Sequence, residues 1–446
     1  MTGDGRTVRT PRGAGRRRTG LVLGTLLLPG LLLATPATAA DSTEGSRPAP
    51  GAAVPASSGT TTGAGSPAAP SGVIGGEQLG LRGTRVQPLK GAPALPKTTA
   101  RSWIVADADT GEVLAARDAH RRLAPASTLK MLFADTLLAD TDPEDVYRAD
   151  PLDFGRLGAG SSAVGISDGH DYTVEDLWHG VFLASGNDAV HALSAMNGGL
   201  DEVTRRMNER AVELQAMDTT VVNPDGYDGE GQLSSAYDLT LIARAGLENP
   251  EFRRYAAVET YAFPGKGKGK KRESFEIRST NRLLVGAAGL DRYPGILGGK
   301  NGYTSKAGHT FTGIAERDGR TMIVTVMNPE DGDRLRVYRE TADLLDWGFG
   351  ATGRVEPIGE LVPSLTELAE AAAAEAAAAP QPDGTGVTAG ANGEAGATGA
   401  GTGGIGAVGI LLLSATTLTA AALWGRRLFH RRRPLPGRRR RAFPRA

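Results

Sequence analysis

Only one segment of the chain, residues 99–352, carries strand and helix patterns along its whole length. The segments on either side of it, residues 40–98 and 381–404, are dominated by Ala, Gly, Pro, Ser and Thr. Such segments bury too little apolar surface to offset the entropy that is lost when a chain becomes ordered. The sequence therefore predicts one folded domain of about 250 residues between two disordered linkers.

Two apolar segments lie outside this domain, one near each end of the chain. Residues 21–34 follow three consecutive arginines and precede an Ala-Thr-Ala sequence, which is the order of a secretory signal peptide over residues 1–39. A retained N-terminal anchor is the alternative interpretation. Residues 405–424 carry no charge, and a helix of this length can cross a bilayer. The second segment is therefore predicted to be a transmembrane helix.

An arginine-rich tail follows the predicted transmembrane helix. Residues 425–446 hold ten arginines and no acidic residue, and such a tail stays in the cytoplasm by the positive-inside rule. The sequence therefore predicts a single-pass cell-membrane protein with an extracytoplasmic folded domain.

Charge and composition exclude several functional classes. The chain has 50 Lys and Arg against 50 Asp and Glu, and the arginine clusters lie at its two ends. The rest of the chain is therefore clearly acidic. Nucleic acid is therefore not an expected partner. The chain has no Cys, and its six His form no His-Glu-x-x-His pair. Disulfides, thiol catalysis and Cys-ligated zinc are excluded, and we predict neither a metal site nor a cofactor.

Strand patterns lie at both ends of the folded domain. Residues 102–106 and 112–116 are apolar runs around an Asp-Thr-Gly turn, and residues 309–315 and 321–327 flank an Asp-Gly turn. Both arrangements are typical of β-hairpins. Because strands occupy the two ends and helical patterns lie between them, we expect a sheet that is closed by both ends of the domain and faced by helices.

Helical patterns fill the interval between the two predicted hairpins. Apolar residues recur at helical spacing over residues 129–138, 174–196 and 200–217. After the domain, residues 360–380 form an Ala/Glu-rich segment that ends at a proline, and we predict a helical stalk there.

The first candidate catalytic element is Ser127-Thr128-Leu129-Lys130. Residues three apart share a face of a helix, so the hydroxyl of Ser127 and the amine of Lys130 can meet. A serine hydroxyl needs a base to become a good nucleophile. Lys130 can be that base only when neutral, which requires a pKa well below the usual value of about 10.4. Alone, the pattern could equally be the start of a helix with a solvated lysine.

Two further elements follow at a distance in the chain. Ser185-Gly186-Asn187 lies between helical runs, where a hydroxyl could relay a proton and an amide could hold a substrate carbonyl. Lys300 begins a Lys-Asn-Gly-Tyr-Thr sequence. On an edge strand, its glycine would let a substrate backbone lie close. Each element alone could be an ordinary polar or glycine-rich turn.

Together, the order Ser-x-x-Lys, Ser-x-Asn and Lys-x-Gly resembles the penicillin-interacting serine enzymes. Within them the chain most resembles the D-alanyl-D-alanine carboxypeptidases, over roughly residues 100–350. Further segments support this resemblance: Asp109–Leu114, Asn223–Gly226, Ser235–Leu239 and Thr280–Leu284. The resemblance implies an α/β fold of the β-lactamase/DD-peptidase type, with an antiparallel sheet, flanking helices and an inserted helical subdomain.

The resemblance also implies a mechanism. Ser127 would attack the penultimate D-Ala carbonyl of a peptidoglycan stem pentapeptide, Lys130 would take its proton, and Ser185 would pass a proton to the departing D-Ala. β-Lactams would act as covalent inhibitors by acylating Ser127. The backbone N–H groups of Ser127 and Tyr303 would form an oxyanion hole. The resemblance assigns substrate binding to Asn187, Lys300, Asn301, Gly302, Tyr303 and Thr304.

Two alternatives to a carboxypeptidase remain open at this point. A class A-like β-lactamase shares the scaffold, but it needs a deacylating Glu four residues before an Asn, and here Thr219 precedes Asn223. A catalytically silent cell-wall-binding homologue is the second alternative, because Asn301 stands where the family usually has Thr. That substitution places substrate affinity or specificity in doubt.

Overall fold

The computed structural model describes residues 72–267, 269–330 and 332–378. The predicted signal peptide, the predicted transmembrane helix, the linker at 381–404 and the arginine-rich tail lie outside these residues. None of the helices in the described ranges combines the length and the hydropathy that crossing a bilayer would require.

The described ranges contain twelve β-strands, most of them in one large sheet. Their bounds are β1 (Thr84–Pro88), β2 (Ser102–Asp107), β3 (Glu112–Arg117), β4 (Val146–Arg148), β5 (Asp171–Thr173), β6 (Thr260–Pro264), β7 (Ser274–Arg278), β8 (Ile296–Thr304), β9 (Gly308–Arg317), β10 (Arg320–Met327), β11 (Val355–Glu356) and β12 (Gly359–Glu360).

The same ranges contain nine α-helices. Their bounds are α1 (Lys130–Leu137), α2 (Val174–Leu183), α3 (Asn187–Met196), α4 (Leu200–Glu213), α5 (Ala236–Glu248), α6 (Pro250–Ala256), α7 (Arg282–Val285), α8 (Arg336–Ala351) and α9 (Leu365–Ala378).

The large sheet is antiparallel and has the strand order β11-β1-β3-β2-β10-β9-β8, with β12 added beside β3. Both predicted hairpins are confirmed, as β2–β3 and β9–β10. Asp318 and Gly319 have φ angles of 52° and 73°, the two positive values that a tight type I′ hairpin turn requires. The two ends of the domain meet in the sheet: β1 comes from its N-terminal end, and β11 and β12 come from its C-terminal end.

Side chains alternate between two hydrophobic cores on the faces of the sheet. In β2, Ile104 and Ala106 belong to the core that also contains α1 and α5, whereas Trp103 and Val105 belong to the core that contains α8. Successive side chains of a strand point to opposite faces, so a strand covered on both faces is apolar throughout. This arrangement places α1, and with it Lys130, against one face of the sheet.

An inserted, largely helical region lies between β3 and β8. It contains α1 to α7 together with the small hairpins β4–β5 and β6–β7. The α/β fold with an antiparallel sheet, flanking helices and a helical insertion, expected from the resemblance, is therefore confirmed.

The structure corrects the boundaries of the domain at both ends. The linker predicted over residues 40–98 extends too far. Residues 84–88 of this segment form β1, which pairs with β3 and β11, and Leu79 is buried in the core. The few apolar residues of this glycine- and proline-rich segment are used in packing, which composition alone does not reveal. The domain also continues past residue 352, since β11 and β12 join the sheet.

The helix predicted over residues 360–380 is α9, which begins at Leu365, because residue 360 belongs to β12 and residues 361–364 form neither helix nor strand. Ser364 and Glu367 form reciprocal side-chain to backbone hydrogen bonds at its start, and the Thr366 amide donates to Glu213 at the end of α4. No residue of α9 within the described ranges is buried, and its role as a stalk stays a prediction.

Candidate active site

Ser127 and Lys130 meet at the junction of a short 3₁₀ helix, Ala126–Leu129, with α1. Residues three apart eclipse one another in a 3₁₀ turn. The Nζ atom of Lys130 accordingly donates to the Oγ atom of Ser127 at 2.9 Å. The local spacing therefore places a hydroxyl and an amine on the same side of this turn, within contact distance.

Burial of Lys130 lowers its pKa to about 8, although the carboxylates of Asp225 and Asp188 oppose this shift. The ammonium donates to three oxygens: Ser127 Oγ, Asn187 Oδ1 at 2.7 Å and the backbone oxygen of Asp225. A neutral amine has two N–H bonds and one lone pair. It can keep Asn187 and Asp225 as acceptors while its lone pair faces the hydroxyl of Ser127.

Ala126, the residue before Ser127, has a left-handed backbone with φ of 51°, which is costly for a residue with a Cβ. Two hydroxyls hold this turn by donating to the backbone oxygen of Pro125: that of Thr128 at 2.6 Å and that of Thr310 at 2.9 Å. The strained turn is therefore supported by both the 3₁₀ helix and strand β9.

The second motif forms the break between α2 and α3. Ser185 has a left-handed backbone, with φ of 56°. Its hydroxyl oxygen accepts a hydrogen bond from Lys300 Nζ at 3.0 Å. Asn187 is the first residue of α3 and is buried. Its amide oxygen accepts from Lys130, so the break between the helices carries one contact to each lysine.

The third motif lies on β8, which is an edge strand of the large sheet. Lys300 is buried, and its Nζ donates to Ser185 Oγ and to the backbone oxygen of Asn301 at 2.8 Å. Burial and the neighbouring charge of Lys130 hold the pKa of Lys300 well below its usual range. The repulsion between the two lysine charges thus lowers the pKa of Lys300, while the pKa of Lys130 is lowered by burial.

At Gly302, strand β8 packs closely against the 3₁₀ helix. A Cβ atom on Gly302 would lie 2.6 Å from the Ser127 backbone nitrogen and 2.6 Å from Thr310 Oγ1. Real Cβ atoms do not approach backbone atoms this closely, so only glycine fits. Close backbone approach is one of the reasons for which glycine occurs inside strands.

Asn301 is held by a residue to which the sequence had assigned no role. Thr280 Oγ1 donates to Asn301 Oδ1 at 2.9 Å. This contact occupies the amide oxygen and orients the amide, so its NH₂ group is left as a donor towards the groove. Both side chains line the groove. The departure from the usual Thr therefore keeps a hydrogen-bond donor at this position.

A groove with a volume of about 290 Å³ joins the three motifs. It is lined by Ser127, Ser185, Asn187, Asn301, Gly302, Tyr303 and Thr304, together with residues 159–162, 226–228, Thr280 and Ser305. Lys130 and Lys300 lie behind this surface. The side chain of Tyr303 is exposed and contacts the His309 ring, with centroids 4.6 Å apart.

Two buried aspartates position the site without lining the groove. Asp188 accepts from the backbone amides of Val164, Gly165 and Ile166 at 2.8–3.0 Å, which fixes the loop beside the groove. Burial alone would raise the pKa of Asp225, but contacts with His191, Lys130 and the Tyr227 amide outweigh burial and lower that pKa. Both roles depend on tertiary contacts that the sequence does not show.

One cluster with metal-ligand chemistry lies apart from the groove-lining residues: His120, Asp218 and Asp238. The two ring nitrogens of His120 already face Asp218 Oδ2 at 2.8 Å and the Ile74 backbone oxygen at 3.0 Å. Both partners are acceptors, which suits a protonated imidazole. Burial would lower the pKa of His120, but Asp218 outweighs it and raises that pKa. We assign no metal to this cluster.

A comparison with known protein families decides what this arrangement is. The model of the D-alanyl-D-alanine carboxypeptidase family, peptidase S11, matches residues 89–331, which includes all three motifs. The chain belongs to this family.

Named relatives agree with membership of the D-alanyl-D-alanine carboxypeptidase family. DacB2 of Mycobacterium tuberculosis, named a D-alanyl-D-alanine carboxypeptidase, is 38% identical over 270 residues, which are 59% of this chain and 87% of DacB2. DacF of Bacillus subtilis bears the same name and is 31% identical over 254 residues, covering 56% of this chain and 62% of DacF.

Solved structures agree with the carboxypeptidase fold. A D-alanyl-D-alanine carboxypeptidase from Mycobacterium tuberculosis is 37% identical with a TM-score of 0.54, and the match covers 63% of this chain and 100% of that one. The Streptomyces K15 DD-transpeptidase has a TM-score of 0.54 at 24% identity, covering 58% of this chain and 99% of that one. At this identity the second match supports the fold alone.

Proposed function

We propose that the protein is a serine-type D-Ala-D-Ala carboxypeptidase that removes the terminal D-Ala from peptidoglycan stem pentapeptides. The observation that carries this proposal is the hydrogen bond between Ser127 Oγ and the buried amine of Lys130. A solvated lysine could not act as a base near neutral pH. Family membership supports the choice of substrate.

In the acylation step, Ser127 Oγ attacks the carbonyl carbon of the penultimate D-Ala as its proton passes to neutral Lys130. The backbone N–H groups of Ser127 and Tyr303 are proposed to stabilise the oxyanion that forms, as such donors do in other acyl transfers. The peptide bond then breaks. The terminal D-Ala leaves after its nitrogen receives a proton through the hydroxyl of Ser185.

In the deacylation step, water attacks the ester on Ser127, the tetrapeptide leaves and the serine hydroxyl is regenerated. No cofactor takes part in this scheme.

Substrate binding depends on the terminal carboxylate. Lys300 and the NH₂ group of Asn301 are proposed to hold it at one end of the groove, and Asn187 is proposed to hold the amide of the acyl donor. Gly302 and Thr304 would line the path of the substrate backbone along edge strand β8. β-Lactams, which imitate the D-Ala-D-Ala end, would acylate Ser127 through the same contacts.

The β-lactamase alternative is not favoured by the residues around the groove. Thr219 stands where a deacylating Glu would be needed, and its hydroxyl contacts Asp238 and Ser234. Asp228 is the one acidic residue among the described residues that line the groove. A penicilloyl adduct on Ser127 is therefore expected to persist. The silent-homologue alternative lacks support, because the Ser127–Lys130 contact is intact.

The proposed function is tested by incubating the purified protein with a pentapeptide that ends in D-Ala-D-Ala and measuring the released D-alanine. Release of one D-alanine per peptide supports the proposal. A fluorescent penicillin separates the alternatives: a persistent label indicates a carboxypeptidase, rapid turnover indicates a β-lactamase, and absence of label indicates a silent homologue.

The pH dependence of the reaction should report on Lys130. Because its pKa is lowered to about 8, about a tenth of the molecules carry the neutral base at pH 7. Only the neutral amine can accept the proton of Ser127, so kcat/KM for D-alanine release should rise with pH and level off above about 8. Acylation by the fluorescent penicillin should follow the same profile. A flat profile across this range would contradict the role of Lys130.

Replacing Gly302 with Ala should impair acylation. The added Cβ would lie 2.6 Å from the Ser127 backbone nitrogen, so β8 and the 3₁₀ helix must separate. A displacement on the order of 1 Å at a reacting group can lower the rate about 100-fold, and we expect a loss of that order in the rate of penicillin labelling. Gly350→Ala is the control, since its Cβ would meet only Pro93 at 3.6 Å. Equal loss in both variants would contradict the packing argument.

We also propose that the protein is anchored in the cell membrane by residues 405–424, with the catalytic domain outside and the C-terminal tail in the cytoplasm. The uncharged run and the arginines that follow it support this topology. Protease treatment of intact spheroplasts should digest the catalytic domain and leave an epitope attached to the C-terminus protected. Digestion of both would overturn the topology.

A further inference from the structure

One face of β8 contacts three parts of the groove in order. Lys300, Gly302 and Thr304 alternate along the strand and therefore point to the same side. Lys300 donates to Ser185, Gly302 packs against the backbone of Ser127, and Thr304 Oγ1 donates to Asp228 Oδ1 at 2.6 Å. The groove thus has a lysine at one end of this strand face and a carboxylate at the other.

Asp228 carries a negative charge that no cation in the described structure neutralises. Its second oxygen accepts from the Lys306 backbone amide at 3.3 Å, and no lysine, arginine or histidine side chain of the described ranges forms an ion pair with it. A carboxylate has about four acceptor positions. The carboxylate of Asp228 can therefore accept about two further hydrogen bonds, and it lines the groove.

The carboxylate of Asp228 is held in a fixed position relative to the nucleophile. The backbone oxygen of Asp225 accepts from Lys130 Nζ, and Asp225 Oδ1 accepts from the Tyr227 amide at 2.8 Å. Gly226 packs so closely that a Cβ would lie 2.3 Å from the Ala126 oxygen. The turn that carries Asp228 is therefore fastened to the catalytic lysine and to the residue before Ser127.

The direction of the substrate follows from the two ends of the groove. With the terminal carboxylate near Lys300 and the scissile carbonyl at Ser127 beside Gly302, the donor peptide continues towards Thr304. Thr304 lies about 7 Å beyond Gly302 along the strand. The residue immediately before D-Ala-D-Ala therefore enters the part of the groove that Asp228 faces.

We propose that Asp228 binds an ammonium group on the side chain of the residue that precedes D-Ala-D-Ala. The protein would then select stem peptides whose side-chain amine is free over those whose amine is already acylated. Asp228 is a specificity-determining residue in this proposal, which rests on the proposed carboxypeptidase function.

The test compares two peptides that differ only in the charge of this side chain: Nα-acetyl-L-Lys-D-Ala-D-Ala and Nα,Nε-diacetyl-L-Lys-D-Ala-D-Ala. At about pH 8.5 the free amine is still protonated. With the purified full chain, we expect kcat/KM for D-alanine release to be about tenfold higher for the monoacetyl peptide, a ratio that corresponds to about 1.4 kcal/mol.

Asp228→Asn should abolish this preference, because kcat/KM should fall about tenfold more for the monoacetyl peptide than for the diacetyl peptide. The matched control is Glu230→Gln, which removes the same charge from an exposed position two residues away and should keep the preference. Labelling by fluorescent penicillin shows that each variant is folded at the active site.

Equal kcat/KM for the two peptides in the unaltered protein, or a preference that survives in Asp228→Asn, would overturn the role of Asp228 and leave the carboxypeptidase function standing. An equal loss on both peptides in Asp228→Asn would also overturn it, because the carboxylate would then only hold Thr304 in place. Absence of D-alanine release from either peptide would instead overturn the proposed function itself.

Discussion

Replacing Ser127 with Ala is expected to lower kcat/KM for D-alanine release by at least about 1,000-fold, because the acyl-enzyme can no longer form. The Ser127 hydroxyl is the atom that contacts the lysine base, and the alanine side chain removes it without adding bulk. Labelling by the fluorescent penicillin should disappear in the same variant. The two measurements are linked, since one oxygen atom accepts both acyl groups.

Ser274→Ala provides the matched control for this experiment. Ser274 is an exposed residue of β7, and its replacement should leave D-alanine release and labelling unchanged. Full labelling of Ser127→Ala would show that another residue is the nucleophile. The far-ultraviolet circular dichroism spectrum of the variant should match that of the unaltered protein.

Replacing Lys130 with Arg is expected to abolish activity as completely as Ser127→Ala does, although the positive charge is kept. A guanidinium group does not lose a proton in proteins, so it cannot accept the proton of Ser127. We expect a loss of about 1,000-fold or more in kcat/KM, the size that follows when a nucleophile loses its base. The rate of penicillin acylation should fall in parallel.

Because arginine is larger than lysine at this fully buried position, Lys130→Met is a necessary second variant. It matches the lysine stem in length and also lacks a base, so the same loss is expected. Lys90→Arg, at an exposed position, is the control. If Lys130→Met retained substantial acylation and a normal thermal unfolding temperature, the amine would not be the base.

The contacts that the sequence predicted best are those set by local geometry. Ser127 and Lys130 are three residues apart, and any helical turn brings them together. The two hairpins were also predictable, because Asp-Gly and Asp-Thr-Gly turns between apolar runs leave few alternatives. The meeting of Ser185 and Lys300 could be inferred only through the family resemblance, because 115 residues separate them.

The contacts that escaped prediction depend on tertiary proximity between residues with ordinary local patterns. Asp225 is 95 residues from Lys130, and nothing in its neighbourhood in the sequence indicates that its backbone oxygen would accept from the catalytic amine. The hydrogen bond from Thr280 to Asn301 also joins residues that are distant in the sequence. Neither a threonine nor an asparagine indicates such a contact by its type alone. The first contact arises from packing within the helical insertion, and the second from packing of the insertion against β8.

The misplaced linker boundary has a related cause. Residues 84–88 contain a single large aliphatic residue, Val86, and end in a proline. Their composition is that of a linker, but their backbone pairs with β3 and β11. None of the five residues of β1 is fully buried, so this strand near the margin of the sheet needs few apolar residues, and composition underestimates it.

The strand order of the large sheet has a consequence for access to the groove. The first and last described strands meet beside β3, four strands away from β8, which is about 19 Å at the usual spacing between strands. Both β1 and β12 are thus remote from the groove. The open edge of β8, along which the substrate backbone is proposed to lie, is left uncovered by the strands that come first and last in the described ranges.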